Sequence, residues 1–349
     1  MAALAVLFYH VDQRAALFDV KSLGFSKGGL GGYAVTFFFV LSGFLITYLL
    51  MVEKEKTNKI SVRNFYLRRI FRIWPLYYLI LFVTLILSFF ISSFSSQHAP
   101  LSFFLYFFML SNVATAYPYV IVAIESLWSI SVEEQFYLIW PHIINKVKNI
   151  KSVKYYLFGI FITYFAVKIG FRLFFEKNHI EAASLIVYTR FSCMAIGGMG
   201  AYLFFFKSTF LKYIYNPIVQ IIAWSFWIYT CLVKPVHVAK FFDDEIHSVA
   251  FLIIILNVST NPATLINLEK RFLNFLGKIS YGIYVYHMPL IYVLSVLFKS
   301  IDIKANYLII TATVLFLTIG ISYLSYTYFE NPFLRLKEKF AVIKSTNTA

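Results

Sequence analysis

The sequence is poor in charge and nearly devoid of cysteine. Of its 349 residues 13% are charged and two are cysteine. Cys193 and Cys231 fall in apolar runs without metal-ligand spacing, so neither a disulfide framework nor a metal site is indicated. No basic segment precedes the first apolar run, which argues against a cleavable signal peptide. Internal repeats, low-complexity linkers and polar stretches long enough for a second soluble domain are also missing. The chain therefore reads as one domain over residues 1–340, followed by a tail at 341–349.

What the sequence has in abundance is apolar surface. It is 60% hydrophobic, with 40 Phe and 26 Tyr. A soluble domain of that composition would expose far too much apolar area, so a polytopic membrane protein is expected. Ten spans follow, at roughly 1–11, 33–51, 73–91, one net crossing within 101–145, 155–175, 182–206, 217–233, 245–260, 275–298 and 306–329. The first covers only about half of the ~20 residues a bilayer requires, which predicts that the natural chain starts further upstream.

The net charge of +15 does not point to nucleic acid, because its placement is alternating. Twenty of the 31 basic residues lie in segments 52–72, 146–154, 207–216, 261–278 and 330–349, and eight in the intervening polar segments. That asymmetry is the positive-inside pattern and puts the first set, with the C-terminus, in the cytoplasm. The region 101–145 holds apolar residues enough for two helices, yet the flanking charges require an odd number of crossings. A broken or re-entrant stretch near Asn112–Pro118 reconciles the two. Such backbone is tolerated only inside protein or beside a cavity. The fold class expected is an all-α transmembrane bundle of about ten helices, one of them broken.

The segment Leu127–Pro141 is the most unusual. At helical spacing Ser129, Glu133, Phe136, Tyr137 and Trp140 share a face, while Glu134 turns away by about 100°. A carboxylate within a bilayer costs at least ~2.5 kcal/mol and is a functional candidate by default; at a water interface it would cost nothing. Lys168, Arg172 and Arg190 lie within apolar spans and need partners, for which Glu133 and Glu134 are the candidates, unless they bind anions or reach an interface.

Other signals are individually weak. His10 ends the first apolar run, where it could move a proton or simply cap the helix. Arg68, Arg69 and Arg72 sit just before the third span, placed to bind phosphate of a cofactor or of lipid. Pro75 fits the first turn of the next helix. The pair Ser42-Gly43 in the Phe37–Thr47 run reads as close helix packing. His287 lies in the aromatic stretch Ser280-Tyr-Gly-Ile-Tyr-Val-Tyr-His287, and Glu330 of Glu330-Asn-Pro332 is expected to meet the basic loops.

Taken in order, these stretches resemble acyltransferase family 3, integral membrane enzymes that acylate surface polysaccharides and related acceptors. The stretches are the helix ending in His10, Phe-Phe-Val-Leu-Ser-Gly-Phe-Leu-Ile, Arg68-Arg69-Ile-Phe-Arg72-Ile-Trp-Pro75, Trp128-Ser-Ile-Ser-Val-Glu133-Glu-Gln-Phe-Tyr137, Ser280–His287 and Glu330-Asn-Pro332. The resemblance implies transfer of acetyl from acetyl-CoA to a sugar hydroxyl, with no metal. It also implies that His10 is the essential histidine and that the 68–72 arginines hold the donor. On that basis His10 and Glu133 are expected to be catalytic, with Glu133 steadying the imidazolium. Trp128, Tyr137 and His287 are expected to line the substrate path. Lipid, acyl-CoA and a glycan are the expected partners, in the cell membrane. The family also places a basic residue about ten positions before the histidine, earlier than this sequence begins. An exporter of a glycan-related substrate and an inactive relative are the alternatives.

Overall fold

The computed structural model describes residues 1–174, 180–232 and 242–341. Among them there are helices and no strand. In hydrocarbon every backbone N–H and C=O must be satisfied within the segment, which a helix does and an open strand does not. Six of the helices are long and apolar enough to cross a membrane. Phe82, Leu138, Phe158, Ile222 and Phe316 point outward, exposed, as lipid-facing side chains would.

The chain begins with α1 (Ala2–Gln13), α2 (Leu30–Thr57) and α3 (Val62–Leu87). The fourth crossing is broken, as expected, into α4 (Ala99–Phe107), α5 (Ser111–Ala116), a 3-10 turn at Val122–Leu127 and α6 (Trp128–Lys146). Polar side chains of α6 satisfy the irregular stretch: Ser131 pairs with Ser111, and Gln135 donates to Met109 O and to Asn112 Oδ1. The end of α6 is capped by Lys54, which donates to the carbonyls of Ile144, Asn145 and Val147.

Next come α7 (Val153–Phe174), α8 (Ile180–Thr189), α9 (Phe191–Phe205), α10 (Leu211–Ile214), α11 (Pro217–Leu232) and α12 (Asp243–Thr260). The chain closes with α13 (Arg271–Lys278), α14 (Ser280–Ser300), α15 (Tyr307–Leu324), a π-helical turn at Ser325–Glu330 and α16 (Asn331–Glu338). Two expected spans that looked continuous are broken, at Arg190 and at Ile279. Arg190 adopts φ 39°, which for a non-glycine residue costs about 1–2 kcal/mol. Its contacts over-determine the strain: the guanidinium reaches Gly32 O, Thr36 Oγ1 and Asp244, and its amide donates to Tyr164.

The centre of the bundle is α2, packed most extensively on α9. Glycines make the approach possible. A Cβ on Gly43 would lie 2.1 Å from Met194 O, and one on Gly197 2.0 Å from Val40 O. The small pair at 42–43 thus marks close packing through its glycine.

The basic run also differs from expectation. The third helix begins earlier than the expected span at 73: α3 starts at Val62, behind the capping side chain of Ser61, and Arg68, Arg69 and Arg72 lie on it. Pro75 is therefore interior and not in a first turn, leaving the Phe71 carbonyl without its helical donor.

Gly197→Ala is expected to destabilise the bundle by at least about 1–3 kcal/mol, the usual cost of overpacking. Gly320→Ala, whose Cβ meets nothing within 4 Å, should leave it unchanged. Thermal melting of the two detergent-solubilised variants checks this.

Candidate active site

Four helices line a cavity of about 200 Å³ that is open on one side. Its polar wall comprises Ser42 of α2, Arg69 and Arg72 of α3, Glu133 and Tyr137 of α6, and Tyr284 of α14. Larger hollows beside α7 are lined by no carboxylate, histidine or cation.

The helical face foreseen on α6 accounts for one wall. Ser129, Glu133 and Tyr137 recur every fourth residue and all reach the cavity. Tyr137 donates to Glu133 Oε2 at 2.9 Å and is hydrogen-bonded to Ser42. Ser42 is therefore a polar member of the site as well as a packing residue. Elsewhere in these helices hydroxyls turn back to the carbonyl four residues earlier, as Thr36, Thr115 and Ser259 do. Glu134 turns away, as expected, to accept from Trp74 Nε1 at 3.1 Å.

The arginines separate by face. Arg68 donates to Glu53 at 3.0 Å and to Phe340 O at 2.8 Å, tying α2 and the end of the chain to α3. It does not line the cavity, so its expected place in a donor site is corrected to a structural one. Arg69 and Arg72 do line it, Arg72 at an exposed position. Among the described residues neither has an ion pair or hydrogen bond, and Arg69 Nε is sealed from solvent with no partner. The guanidinium of Arg69 lies 5.9 Å from the centre of the Tyr137 ring. A cation held this way is shaped to receive an anion or a carbonyl oxygen.

His10 stands at a second station. Its Nδ1 is 3.0 Å from Nε2 of His287, and the rings lie 5.1 Å apart between centroids. His287 is fully buried, with its own Nδ1 3.2 Å from Ile283 O. Among the described residues His10 has no hydrogen bond to Glu133, so the expected His10–Glu133 couple is corrected. The histidine's partner is another histidine, and Glu133 belongs to the arginine cavity.

Three rings of α14 connect the stations. Tyr281 donates to Ile73 O, Tyr284 bonds Ser129 at 2.7 Å, and His287 holds His10. From Tyr281 to His287 the helix rises about 9 Å. Near His10, Arg14 pairs with Glu125 at 2.8 Å, and Asp12 accepts from Ser22, Leu23 and Ser26. Sequence reasoning missed Tyr284, Arg14 and Glu125. The three-residue spacing of polar rings on α14 was the available signal for the first.

Other expectations fall elsewhere. Trp128 packs on Tyr188 and Phe39 with the Arg190 guanidinium 5.7 Å from its ring, a packing position outside the cavity lining. Lys168 pairs with Glu245 and Arg190 with Asp244, so the α12 N-terminus, and not Glu133 or Glu134, neutralises these cations. Glu330 accepts from Ser325 and lies close enough to Arg72 of the basic run to feel its charge. The cavity beside α6 is walled by α2, α3 and α14 and not by the broken 101–127 stretch.

Residues 1–327 match the sequence profile of the acyltransferase domain. The chain belongs to this acyltransferase family. It is 34% identical over 149 residues to the peptidoglycan O-acetyltransferase OatA of Listeria monocytogenes, covering 40% of the chain and 22% of that protein. To the O-acetyltransferase OatA of Staphylococcus aureus it is 26% identical over 360 residues, covering 95% of the chain. The chain spans 55% of that relative's length. No solved structure matches.

Arg68→Leu should cost about 1–3 kcal/mol by leaving the buried Glu53 carboxylate without its cation. Arg69→Leu, which removes a cation with no ion pair or hydrogen bond among the described residues, should lower the melting midpoint less than Arg68→Leu does. Melting both variants side by side checks the division of labour.

Proposed function

We propose that the chain is the membrane-embedded part of an O-acetyltransferase that moves acetyl from acetyl-CoA to a hydroxyl of a cell-envelope polysaccharide, such as peptidoglycan. The observation that carries this reading is the pair of guanidiniums, Arg69 and Arg72, which line a cavity beside Glu133 and Tyr137 with no ion pair or hydrogen bond among the described residues. The family and the activities named for the relatives agree with it, and they give the exporter reading no support.

A cavity of about 200 Å³ is smaller than the roughly 300–1,000 Å³ of pockets that enclose a whole drug-sized ligand. It suits the narrow acyl-thioester arm of the donor, with the nucleotide left outside. Arg72 at the exposed position meets donor phosphate, and Arg69, deeper, meets an oxygen of the arm. Glu133 is held by Tyr137 and keeps one wall of the cavity polar. By the charge asymmetry, the arginine end and the C-terminus face the cytoplasm of a cell whose cytoplasmic membrane holds the bundle. The glycan hydroxyl arrives at the His10 station from the opposite side.

His10 takes the hydroxyl proton as the oxygen attacks the thioester carbonyl. The C–S bond breaks, the new O–acyl bond forms, and the proton passes from His10 to the departing thiolate. The Arg14–Glu125 pair and the Asp12-bound loop frame this end of the path.

Membranes holding the chain, radiolabelled acetyl-CoA and isolated glycan provide the test. Arg69→Ala should raise the KM for acetyl-CoA by about 10- to 100-fold, the worth of a charge-assisted hydrogen bond. His10→Ala should lower kcat by about 10²- to 10⁴-fold. Wild-type turnover in either variant would overturn the corresponding role.

A further inference from the structure

The two histidines form a directed pair, and the direction follows from what each partner can accept. A backbone carbonyl has no proton to give. The contact between His287 Nδ1 and Ile283 O therefore requires the proton on Nδ1 of His287. In a neutral imidazole the other nitrogen is then a bare acceptor. His287 Nε2 is the atom that faces His10 Nδ1 at 3.0 Å, so the proton between the rings belongs to His10 Nδ1. That leaves Nε2 of His10 as its lone-pair nitrogen, and the carbonyl of Val6, four residues earlier on α1, is a further acceptor for the His10 proton.

We infer that His287 is a positioning residue that fixes the proton of His10 on Nδ1 and so presents Nε2 as the base. It does the work that a carboxylate does behind the histidine of a serine-hydrolase triad, without placing a charge in the bilayer. The lock is built into one helix turn. Ile283 lies four residues before His287 on α14, so its carbonyl faces the ring by helical geometry alone. The ring is fully buried, with the Tyr284 ring 5.8 Å away between centroids. The inference rests on the acyl-transfer reading for its catalytic consequence, but the tautomer itself does not depend on that reading.

A substitution series separates accepting from donating at position 287. In His287→Gln the side-chain carbonyl can take the place of Nε2 and accept from His10 Nδ1. In His287→Lys the ammonium can only donate, which drives the His10 proton to Nε2 and removes the base. The expected order of kcat is wild type, then His287→Gln within about tenfold, with His287→Leu and His287→Lys lower by about 10²-fold or more. The KM for acetyl-CoA should stay constant across the series, because the arginine cavity is untouched. Melting midpoints separate this from loss of fold: Gln and Leu variants of equal stability but unequal kcat support positioning. Equal kcat in Gln, Leu and Lys variants of an active wild type would overturn the inference.

The second readout needs no activity. Nitrogen-15 NMR of histidine-labelled protein, assigned with His10→Ala and His287→Ala, reads which ring nitrogen carries the proton. His10 protonated at Nδ1 in wild type, and shifted to Nε2 in His287→Lys, supports the lock. His10 protonated at Nε2 in neutral wild type overturns it. An inactive wild type that still shows the Nδ1 proton would sink the acyl-transfer reading and leave the lock standing.

Discussion

The cost of leaving a charge unpartnered inside an apolar bundle accounts for four ion pairs among the described residues. Arg14 meets Glu125, Arg190 meets Asp244, Lys168 meets Glu245 and Arg68 meets Glu53. Each pair joins two different helices or turns, so neutralisation and assembly are one process. Against that background Arg69 and Arg72 stand apart: among the described residues neither forms an ion pair or hydrogen bond, and Glu133 lies on the same cavity. Arg68 is held on another face of the same helix, with Glu53 and the Phe340 carbonyl drawing it away from the cavity.

The bundle was legible in the sequence where hydropathy and charge decide it. Six helices among the described residues are long and apolar enough to cross a membrane, and the break before α6 was foreseen from the charge count. The break at Arg190 was not, because no Gly or Pro marks it; the cause is a set of contacts to α2, α7 and α12 that local sequence cannot encode. Pro75 misled for the opposite reason: a strong local preference was overridden by a helix already running from Val62.

The site was legible residue by residue but not in its pairing. Of the five residues that helical periodicity put on one face, Ser129, Glu133 and Tyr137 line the cavity, while Phe136 and Trp140 do not and Trp140 donates to Thr47. Which carboxylate faces which cation is set by packing between helices, so Lys168 and Arg190 were assigned the wrong partners. The same holds for His10, whose partner lies 277 residues away. Ser42 shows the limit most plainly, because adjacent residues 42 and 43 divide the two roles: Gly43 admits the α9 backbone, and Ser42 meets Tyr137.

Helix α14 touches α3 through Tyr281, α6 through Tyr284 and α1 through His287, and so acts as a ruler laid along the path. The separation of its marks is a property of the backbone, about 1.5 Å for each residue, and no side-chain repacking can change it. Adding one residue between Tyr284 and His287 would turn the histidine by about 100° and lengthen the scale at once. The span between donor and base is thereby gauged by chain count, which ties the reach of the transferred arm to the numbering of a single helix.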